Sequence, residues 1–124
     1  MVRQHKVLIV DDDEQLTKMF QTALQLTGIE THTASRGDQA LTMIEQDQYD
    51  LVLLDIMMPE TDGISVLHQW PKEAPTKKKD VVLITSLAPE AMAIEGKQLG
   101  IWACWNKDEL THEELVKRVR QLFT

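Results

Sequence analysis

The sequence has a single cysteine, an excess of negative charge and no long apolar run, and each of these features excludes some classes of protein. Cys104 alone can form neither an internal disulfide nor a cysteine-rich zinc site. The 13 lysines and arginines face 20 acidic residues, and the net charge of −7 argues against direct nucleic-acid binding. No stretch approaches the ~18 apolar residues of a membrane span, and the polar residues 1–6 do not resemble a signal peptide. We therefore expect a cytoplasmic protein that does not contact membranes.

Chain length limits the number of domains, and the hydrophobic pattern predicts their architecture. A chain of 124 residues with 43% hydrophobic residues can bury one core but hardly two, so we expect a single domain over residues 1–124. Four apolar runs suit strands that are buried on both faces, and the polar, β-branched residues 30–34 suit a strand at a sheet edge. The four apolar runs are residues 7–10, 51–54, 81–84 and 101–105.

The segments between these runs show the apolar spacing of amphipathic helices, so the chain alternates strand and helix five times. Parallel strands joined by right-handed crossovers carry helices on both faces of the sheet. The predicted fold is therefore α/β, a doubly wound (βα)5 three-layer sandwich of the flavodoxin-like kind. Its parallel strand order, 2-1-3-4-5, is an expectation from that class of fold, because periodicity alone does not fix the order.

Small polar residues and glycines indicate where helices begin and end. Ser35 and Thr111 each precede an amphipathic segment with an acidic residue three positions later, a pattern typical of helix N-caps. Gly28 and Gly100 each follow such a segment, where a residue that tolerates positive φ is needed. Residues 70–80 contain two prolines and three consecutive lysines, and we expect them to form an exposed loop.

Acidic, hydroxyl and lysine side chains fall where the predicted strands end. The first strand is followed by Asp11 and Asp12, and the third, fourth and fifth strands by Asp55, Thr85 and Lys107. The carboxyl ends of parallel strands meet at one edge of a sheet, so these side chains should converge. Neighbouring carboxylates repel one another unless a cation lies among them, and Mg²⁺ prefers oxygen ligands. A carboxylate can also accept a phosphoryl group when nearby positive charge neutralises the transferring oxygens.

Each of these residues also has a simpler interpretation. Asp12 or Asp13 could cap the following helix, and Asp55 could begin a turn that includes Pro59 and Gly63. A lone lysine or threonine at the end of a strand is more often a surface residue than a ligand. Capping by Asp13 would nevertheless leave the other carboxylates unexplained, and the shared position at strand ends favours a functional site.

Two segments resemble the motifs of a known family. Residues 7–13, Val-Leu-Ile-Val-Asp-Asp-Asp, resemble the opening of the receiver domain of two-component response regulators. Residues 55–63, Asp-Ile-Met-Met-Pro-Glu-Thr-Asp-Gly, resemble the phosphorylation loop of that family. Thr85 and Lys107 match the family's hydroxyl and lysine positions, and the resemblance covers essentially the whole chain.

The resemblance implies a role for each residue of the site. Asp55 would be the phosphoacceptor, and Thr85 and Lys107 would hold the phosphoryl oxygens. Mg²⁺, or Mn²⁺, would bind Asp12 and Asp55 directly together with the backbone carbonyl of Met57, while Asp11 would assist through water. The domain would catalyse only its own phosphorylation and dephosphorylation, and would not otherwise be an enzyme.

The resemblance also implies partners. The phosphoryl donor would be a sensor histidine kinase or a phosphotransfer protein. Phosphorylation would change the face formed by the fourth helix, the fifth strand and the fifth helix, which would act on a downstream protein or on an output domain outside this chain. The chain would be a monomer or a phosphorylation-dependent dimer.

Two positions depart from the family pattern. Cys104 stands where the family has a switch aromatic residue, and strand alternation places Trp105 on the opposite face. Asp108 replaces the proline that usually follows the lysine in a cis linkage, and we expect a trans bond because a non-proline cis bond costs about 2.5–4 kcal/mol. These departures support an alternative, a receiver-like interaction module that works without phosphorylation.

Two further classes fit less well. Asp11 and Asp13 resemble the DxD start of haloacid-dehalogenase-type phosphohydrolases, but Gln15 stands where that pattern has Thr or Val, and a cap domain does not fit in this length. A nucleotide-binding flavodoxin-like protein needs a Gly- or Ser/Thr-rich phosphate loop after the first strand, and the acidic residues 11–14 would repel a phosphate there in the absence of metal.

Overall fold

The computed structural model describes residues 4–59, 61–86 and 90–124, without the side chains of Ala91 and Met92. Glu60 of the segment 55–63 and residues 1–3 of the polar N-terminus lie outside the described residues. Strands alternate with α-helices along the chain: β1 Lys6–Val10, α1 Glu14–Gln25, β2 Glu30–Ala34, α2 Gly37–Gln46, β3 Leu51–Asp55, α3 Gly63–His68, β4 Val81–Thr85, α4 Glu90–Gln98, β5 Ala103–Asn106 and α5 His112–Leu122.

The five strands form one parallel sheet in the order β2-β1-β3-β4-β5. This order confirms the predicted doubly wound fold and places the polar strand β2 at an edge. Asp55 pairs with Ile84 between β3 and β4, and Thr85 pairs with Asn106 between β4 and β5. The register therefore brings the ends of β3, β4 and β5 to the same edge of the sheet.

The sheet separates two hydrophobic cores. Side chains alternate across each strand, so β1 sends Leu8 to the core under α2, α3 and α4, and Ile9 to the core under α1 and α5. Ile44 contributes to the first core, and Phe20 and Leu115 contribute to the second. These five side chains are fully buried, and such burial contributes roughly 1.5–3 kcal/mol for each large apolar side chain. Strands packed on both faces hold the edge that carries the polar residues.

Most predicted helix ends agree with the structure. The Thr111 side chain accepts a hydrogen bond from the backbone N–H of Glu114 and caps α5. Gly28 and Gly100 have φ values of 85° and 92°, as predicted for residues that follow helices. The longest α-helix of the described residues, α1, has 12 residues, and none of the helices there could span a bilayer.

Two details of the local prediction were wrong. Ser35 does not cap α2: the N-cap is Arg36, and the backbone N–H of Ser35 instead donates to Oε1 of Gln39. The last strand begins at Ala103, two residues later than its apolar run. The N–H of Ile101 donates to the carbonyl of Gly96, so this residue still belongs to the exit from α4.

The prediction of an exposed loop at residues 70–80 was only partly correct. Trp70 and Thr76 are buried, and the Trp70 indole N–H donates to the Thr76 carbonyl at 2.8 Å. The Thr76 hydroxyl donates to the carbonyl of Asp47 and accepts the N–H of Tyr49, each at 2.8 Å. These bonds attach the loop to the segment that leads into β3.

Candidate functional site

Three carboxylates converge at the carboxyl edge of the sheet. Asp11 and Asp12 follow β1, and Asp55 is the last residue of β3. One oxygen from each of the three lies within 4.8 Å of the others. Asp11 and Asp55 are buried, with 1% and 2% exposure, whereas Asp12 is exposed. The structure therefore brings together the acidic residues that the sequence predicted to converge, with one of the three accessible to solvent.

The chain that follows β1 fixes the Asp11 side chain. Its Oδ1 accepts the backbone N–H of Asp13 at 2.9 Å, and its own N–H donates to the Ala34 carbonyl. Asp13 is the N-cap of α1, and its side chain accepts the N–H of Leu16. Capping is thus performed by Asp13, which leaves Asp11 and Asp12 available for the site.

Lys107 joins the two buried carboxylates. Its Nζ lies 2.6 Å from Oδ2 of Asp11 and 3.2 Å from Oδ2 of Asp55. Both contacts are ion pairs, and the longer one, with Asp55, also meets the geometry of a hydrogen bond. The sequence predicted that Lys107 would lie at the same edge of the sheet as both carboxylates, but not that its shorter contact would be with Asp11.

The electrostatics of the site follow from this crowding. Burial, and then repulsion from Asp11, raise the pKa of Asp55 to about 6, while Lys107 and the N–H of Met57 act in the opposite direction. Burial alone would lower the pKa of Lys107, but the two carboxylates outweigh it and the pKa lies above its ordinary value. The site thus holds more buried negative charge than one lysine neutralises, and added positive charge would favour ionised Asp55.

The loop after β3 is shaped by close backbone packing. The N–H of Met57 donates to Oδ1 of Asp55 at 3.2 Å, and the N–H of Gly63 donates to the Ile56 carbonyl at 2.9 Å. A Cβ at Gly63 would lie 2.5 Å from the Asp55 carbonyl oxygen, so only glycine fits there. Asp62 caps α3 by accepting the N–H of Ser65. The sequence indicated a turn at Gly63, but the close approach depends on the tertiary structure.

The remaining predicted residues lie around the carboxylates. Met57 is half exposed and lines a groove that also includes Asp12 and Asp62. Thr85 is buried at the end of β4, one residue beyond the partner of Asp55 in the sheet register. The register therefore places Thr85 at the same edge as the carboxylates.

The two departures from the family pattern both lie after β4. Cys104 packs against the core under α2, α3 and α4, and Trp105 lies on the opposite face, where the Arg118 guanidinium is 5.6 Å from its ring centroid. All described peptide bonds are trans, including the bond between Lys107 and Asp108, as predicted. The Oδ1 of Asn106 accepts the N–H of Asp108. This contact was not predicted from the sequence, although an Asn side chain often accepts the N–H of the residue two positions later in a turn.

The donor set fits a hard divalent cation. All candidate side-chain ligands are carboxylate oxygens. Mg²⁺ and Mn²⁺ prefer such hard oxygen ligands, whereas softer metals prefer sulfur or nitrogen. The buried carboxylates of Asp11 and Asp55 share a single neutralising ammonium among the described residues, that of Lys107, and Asp12 is exposed at the opening of the site. The arrangement therefore has both the chemistry and the access that such an ion requires.

Comparisons with known proteins agree with this geometry. The sequence model of the response regulator receiver domain matches residues 7–120. The CpxR homolog of Haemophilus influenzae, a transcriptional regulatory protein, is 34% identical over 118 residues, 95% of this chain and 50% of that protein. The chain spans half or less of the length of the curated relatives that it matches first.

Solved structures show the same likeness over nearly the full chain. The receiver domain of the Francisella response regulator 1452 has a TM-score of 0.82 and 32% identity, covering 97% of both chains. The chemotaxis response regulator CheY4 of Vibrio cholerae has a TM-score of 0.85 and 26% identity, covering 97% of this chain and 99% of that chain.

Proposed function

The chain belongs to the response regulator receiver domain family, and we propose that Asp55 is the residue on which it accepts a phosphoryl group. Receiver domains of this family work in two-component signalling, with a histidine kinase or phosphotransfer protein as the phosphoryl source. For this chain, the proposed donor is the phosphohistidine of a sensor histidine kinase or of a phosphotransfer protein. In the transfer, an oxygen of Asp55 attacks phosphorus, the P–N bond breaks, and the nitrogen of the histidine takes the electron pair.

The observation that carries the proposal is the position of Asp55 between a cation and two carboxylates. Oδ2 of Asp55 accepts a hydrogen bond from the Lys107 ammonium at 3.2 Å, and its other oxygen accepts the N–H of Met57. An ammonium this close can neutralise charge on the transferring oxygens, which is the main requirement of phosphoryl transfer. Thr85, at the same edge, is the proposed hydrogen-bond donor to a phosphoryl oxygen.

The proposed cofactor is Mg²⁺ or Mn²⁺. Asp12, Asp55 and the backbone carbonyl of Met57 would be its direct ligands, and Asp11 would assist through water. When bound, the ion supplies the positive charge that the two buried carboxylates require and helps to neutralise the phosphoryl oxygens. The crowding of the two carboxylates supports this assignment: burial first, and then repulsion from Asp11, raise the pKa of Asp55 to about 6, and a bound cation would favour its ionised form.

Residues 1–124 would form one domain in the cytoplasm that catalyses only its own phosphorylation and dephosphorylation. Because the chain spans half or less of its curated relatives, its output would come from a downstream protein or from a domain outside this chain. Regulation of transcription, named for the Haemophilus relative, is one candidate output, and direct DNA binding by this acidic domain is not proposed.

The proposed switch acts on the face formed by α4, β5 and α5, and leads to partner binding or dimerisation. Cys104 replaces the family's aromatic residue and packs inward against the core, so it supplies no aromatic side chain for this movement. A second candidate function, a receiver-like interaction module that needs no phosphorylation, is favoured by this observation alone.

Intact-protein mass spectrometry distinguishes the two candidates. After incubation with Mg²⁺ and acetyl phosphate, we expect one added phosphoryl group in the natural sequence and none in Asp55→Asn. Ser86→Ala is the matched control, because it alters an exposed residue beside Thr85 and should still be labelled. Failure of the natural sequence to gain a phosphoryl group would favour the phosphorylation-independent module.

A further inference from the structure

We propose that Asn106 is a positioning residue for Lys107, holding the turn from which the lysine reaches both buried carboxylates. The inference rests on the proposed role of Lys107 in phosphoryl transfer. Among the described contacts, Asn106 forms none with Asp11 or Asp55, so it would act on these carboxylates through Lys107. What Asn106 supplies is a fixed backbone for its neighbour.

The geometry of the turn after β5 carries the inference. Asn106 is the last residue of β5 and has extended backbone angles, φ −76° and ψ 118°. Its Oδ1 accepts the N–H of Asp108 at 2.9 Å, so the side chain spans Lys107 and closes an Asx turn around it. A short 3₁₀ turn, Lys107–Glu109, begins at this bond. The backbone on both sides of Lys107 is thereby tied to one side chain.

Lys107 needs such support because its ammonium must reach far. In the sheet, β4 lies between β5 and β3, and β1 lies beyond β3. The Nζ nevertheless lies 3.2 Å from Asp55 at the end of β3 and 2.6 Å from Asp11 at the end of β1. A flexible four-carbon side chain reaches both only when its Cα is held in place, and displacement of the backbone would lengthen both contacts together.

The following residues are anchored separately from this bond. Leu110 is buried in the core under α1 and α5, and its N–H donates to the Lys107 carbonyl at 3.1 Å. Glu109 pairs with Arg118 of α5 at 3.4 Å. The side chain of Asn106 itself is exposed and packs in neither core. Its contact with the Asp108 amide is therefore the feature that a substitution would remove with little change to the core.

The test uses three neutral substitutions in the full chain. Asn106→Ala removes the acceptor, Asn106→Gln keeps the amide but places it one methylene too far, and Asn106→Ser keeps a short acceptor that can form a similar turn. Two properties are measured: the rate of phosphorylation by acetyl phosphate at saturating Mg²⁺, and the NMR signal of the Lys107 ammonium without phosphoryl donor. Mg²⁺ affinity and thermal unfolding are recorded for each variant.

We expect Asn106→Ala and Asn106→Gln to be phosphorylated about tenfold more slowly or worse, a loss typical of misplaced catalytic groups. Their Mg²⁺ affinity should not fall, because the proposed ligands are untouched and the displaced ammonium no longer competes with the ion for Asp11. The Lys107 ammonium signal should lose its protection from exchange in both variants, and Asn106→Ser should recover both properties. Should Asn106→Ala fail to fold, the comparison of Gln with Ser gives the same test.

The inference is overturned if Asn106→Gln and Asn106→Ala, once folded, keep the natural rate and the protected ammonium signal. A loss of rate matched by an equal loss of Mg²⁺ affinity, with the ammonium signal unchanged, also overturns it, since that pattern indicates a general structural defect. If the natural sequence itself takes no phosphoryl group, the proposed function fails, and the ammonium signal alone then decides whether Asn106 positions Lys107.

Discussion

The Lys107 ammonium lies closer to Asp11 than to Asp55, at 2.6 Å against 3.2 Å, although Asp55 is the proposed phosphoacceptor. The lysine therefore neutralises part of the charge that a bound metal ion would neutralise, and it shares Asp11 with the proposed metal site. Metal binding and the lysine contact should compete for this carboxylate.

Replacing Lys107 with Met should destabilise the metal-free protein and strengthen Mg²⁺ binding. Removing one partner of a buried ion pair costs about 3–5 kcal/mol, because the remaining charges lose their compensation. Mg²⁺ should restore part of this loss, since it binds the folded state. Urea unfolding with EDTA and with Mg²⁺ measures both effects. Lys97→Met, at an exposed residue of α4, is the control, and weaker Mg²⁺ binding by Lys107→Met would contradict the prediction.

Replacing Asp55 with Asn should stabilise the metal-free protein near neutral pH. Burial and Asp11 raise the pKa of Asp55 in the folded state to about 6 from 3.8. The folded state then binds a proton more tightly than the unfolded state, so stability falls as pH rises from about 4 to about 6 and the loss is complete above that range. At about 1.4 kcal/mol per pKa unit, the gain for Asp55→Asn at pH 7 is about 1–3 kcal/mol.

Urea unfolding between pH 4.5 and 8 tests this second prediction. The natural sequence should lose stability over the lower part of this range, and Asp55→Asn should show a flatter profile. Asp12→Asn provides a comparison, because Asp12 is exposed and should have a smaller effect. Equal profiles for Asp55→Asn and the natural sequence would show that the ionised Asp55 carboxylate does not destabilise the folded state.

Gly63→Ala should disturb the site as well as the fold. The added Cβ would lie 2.5 Å from the Asp55 carbonyl oxygen and 3.0 Å from the Ile56 Cα, so the backbone must move. We expect a loss of about 3 kcal/mol or more, together with weaker Mg²⁺ binding. Gly28→Ala is the matched control: its φ is 85° but nothing lies within 4 Å of the new Cβ, so about 1–2 kcal/mol and unchanged Mg²⁺ affinity are expected.

Thr76→Val should lower stability without affecting phosphorylation. The hydroxyl satisfies the Tyr49 N–H and the Asp47 carbonyl in a buried position, and its removal leaves both unpaired. The expected cost is about 1–3 kcal/mol for each group left unsatisfied. Thr42→Val, whose hydroxyl bonds the Asp38 carbonyl at an exposed site, should cost less than about 0.5 kcal/mol. Chemical denaturation measures both, and equal losses would contradict the role of Thr76.

The sequence was sufficient to predict the frame of the site because strands buried on both faces leave a strong signal. The runs that became β1, β3 and β4 are continuous apolar segments, and each is followed by one of the site's polar residues. The edge strand β2 was predicted from its polar, β-branched residues, Glu30–Ala34, and the structure confirms its bounds. The strand order came from the fold class, since periodicity contains no information on which strands are neighbours.

What the sequence could not reveal depends on contacts between distant residues. Thr76 is buried and bonds to Tyr49 and Asp47, which are 27 and 29 residues away in the chain. The contact of Lys107 with Asp11 joins the first and last strands through a flexible side chain. Neither contact leaves a local pattern, and each became visible only when the tertiary structure was known.

The most direct test of the account locates the phosphoryl group on the chain. The protein is incubated with acetyl phosphate with and without Mg²⁺, reduced with borohydride to convert an aspartyl phosphate to homoserine, digested, and sequenced by tandem mass spectrometry. The account predicts homoserine at position 55 in the Mg²⁺ sample and aspartate at positions 11 and 12. Modification at another residue, or no Mg²⁺-dependent modification of Asp55, would contradict it.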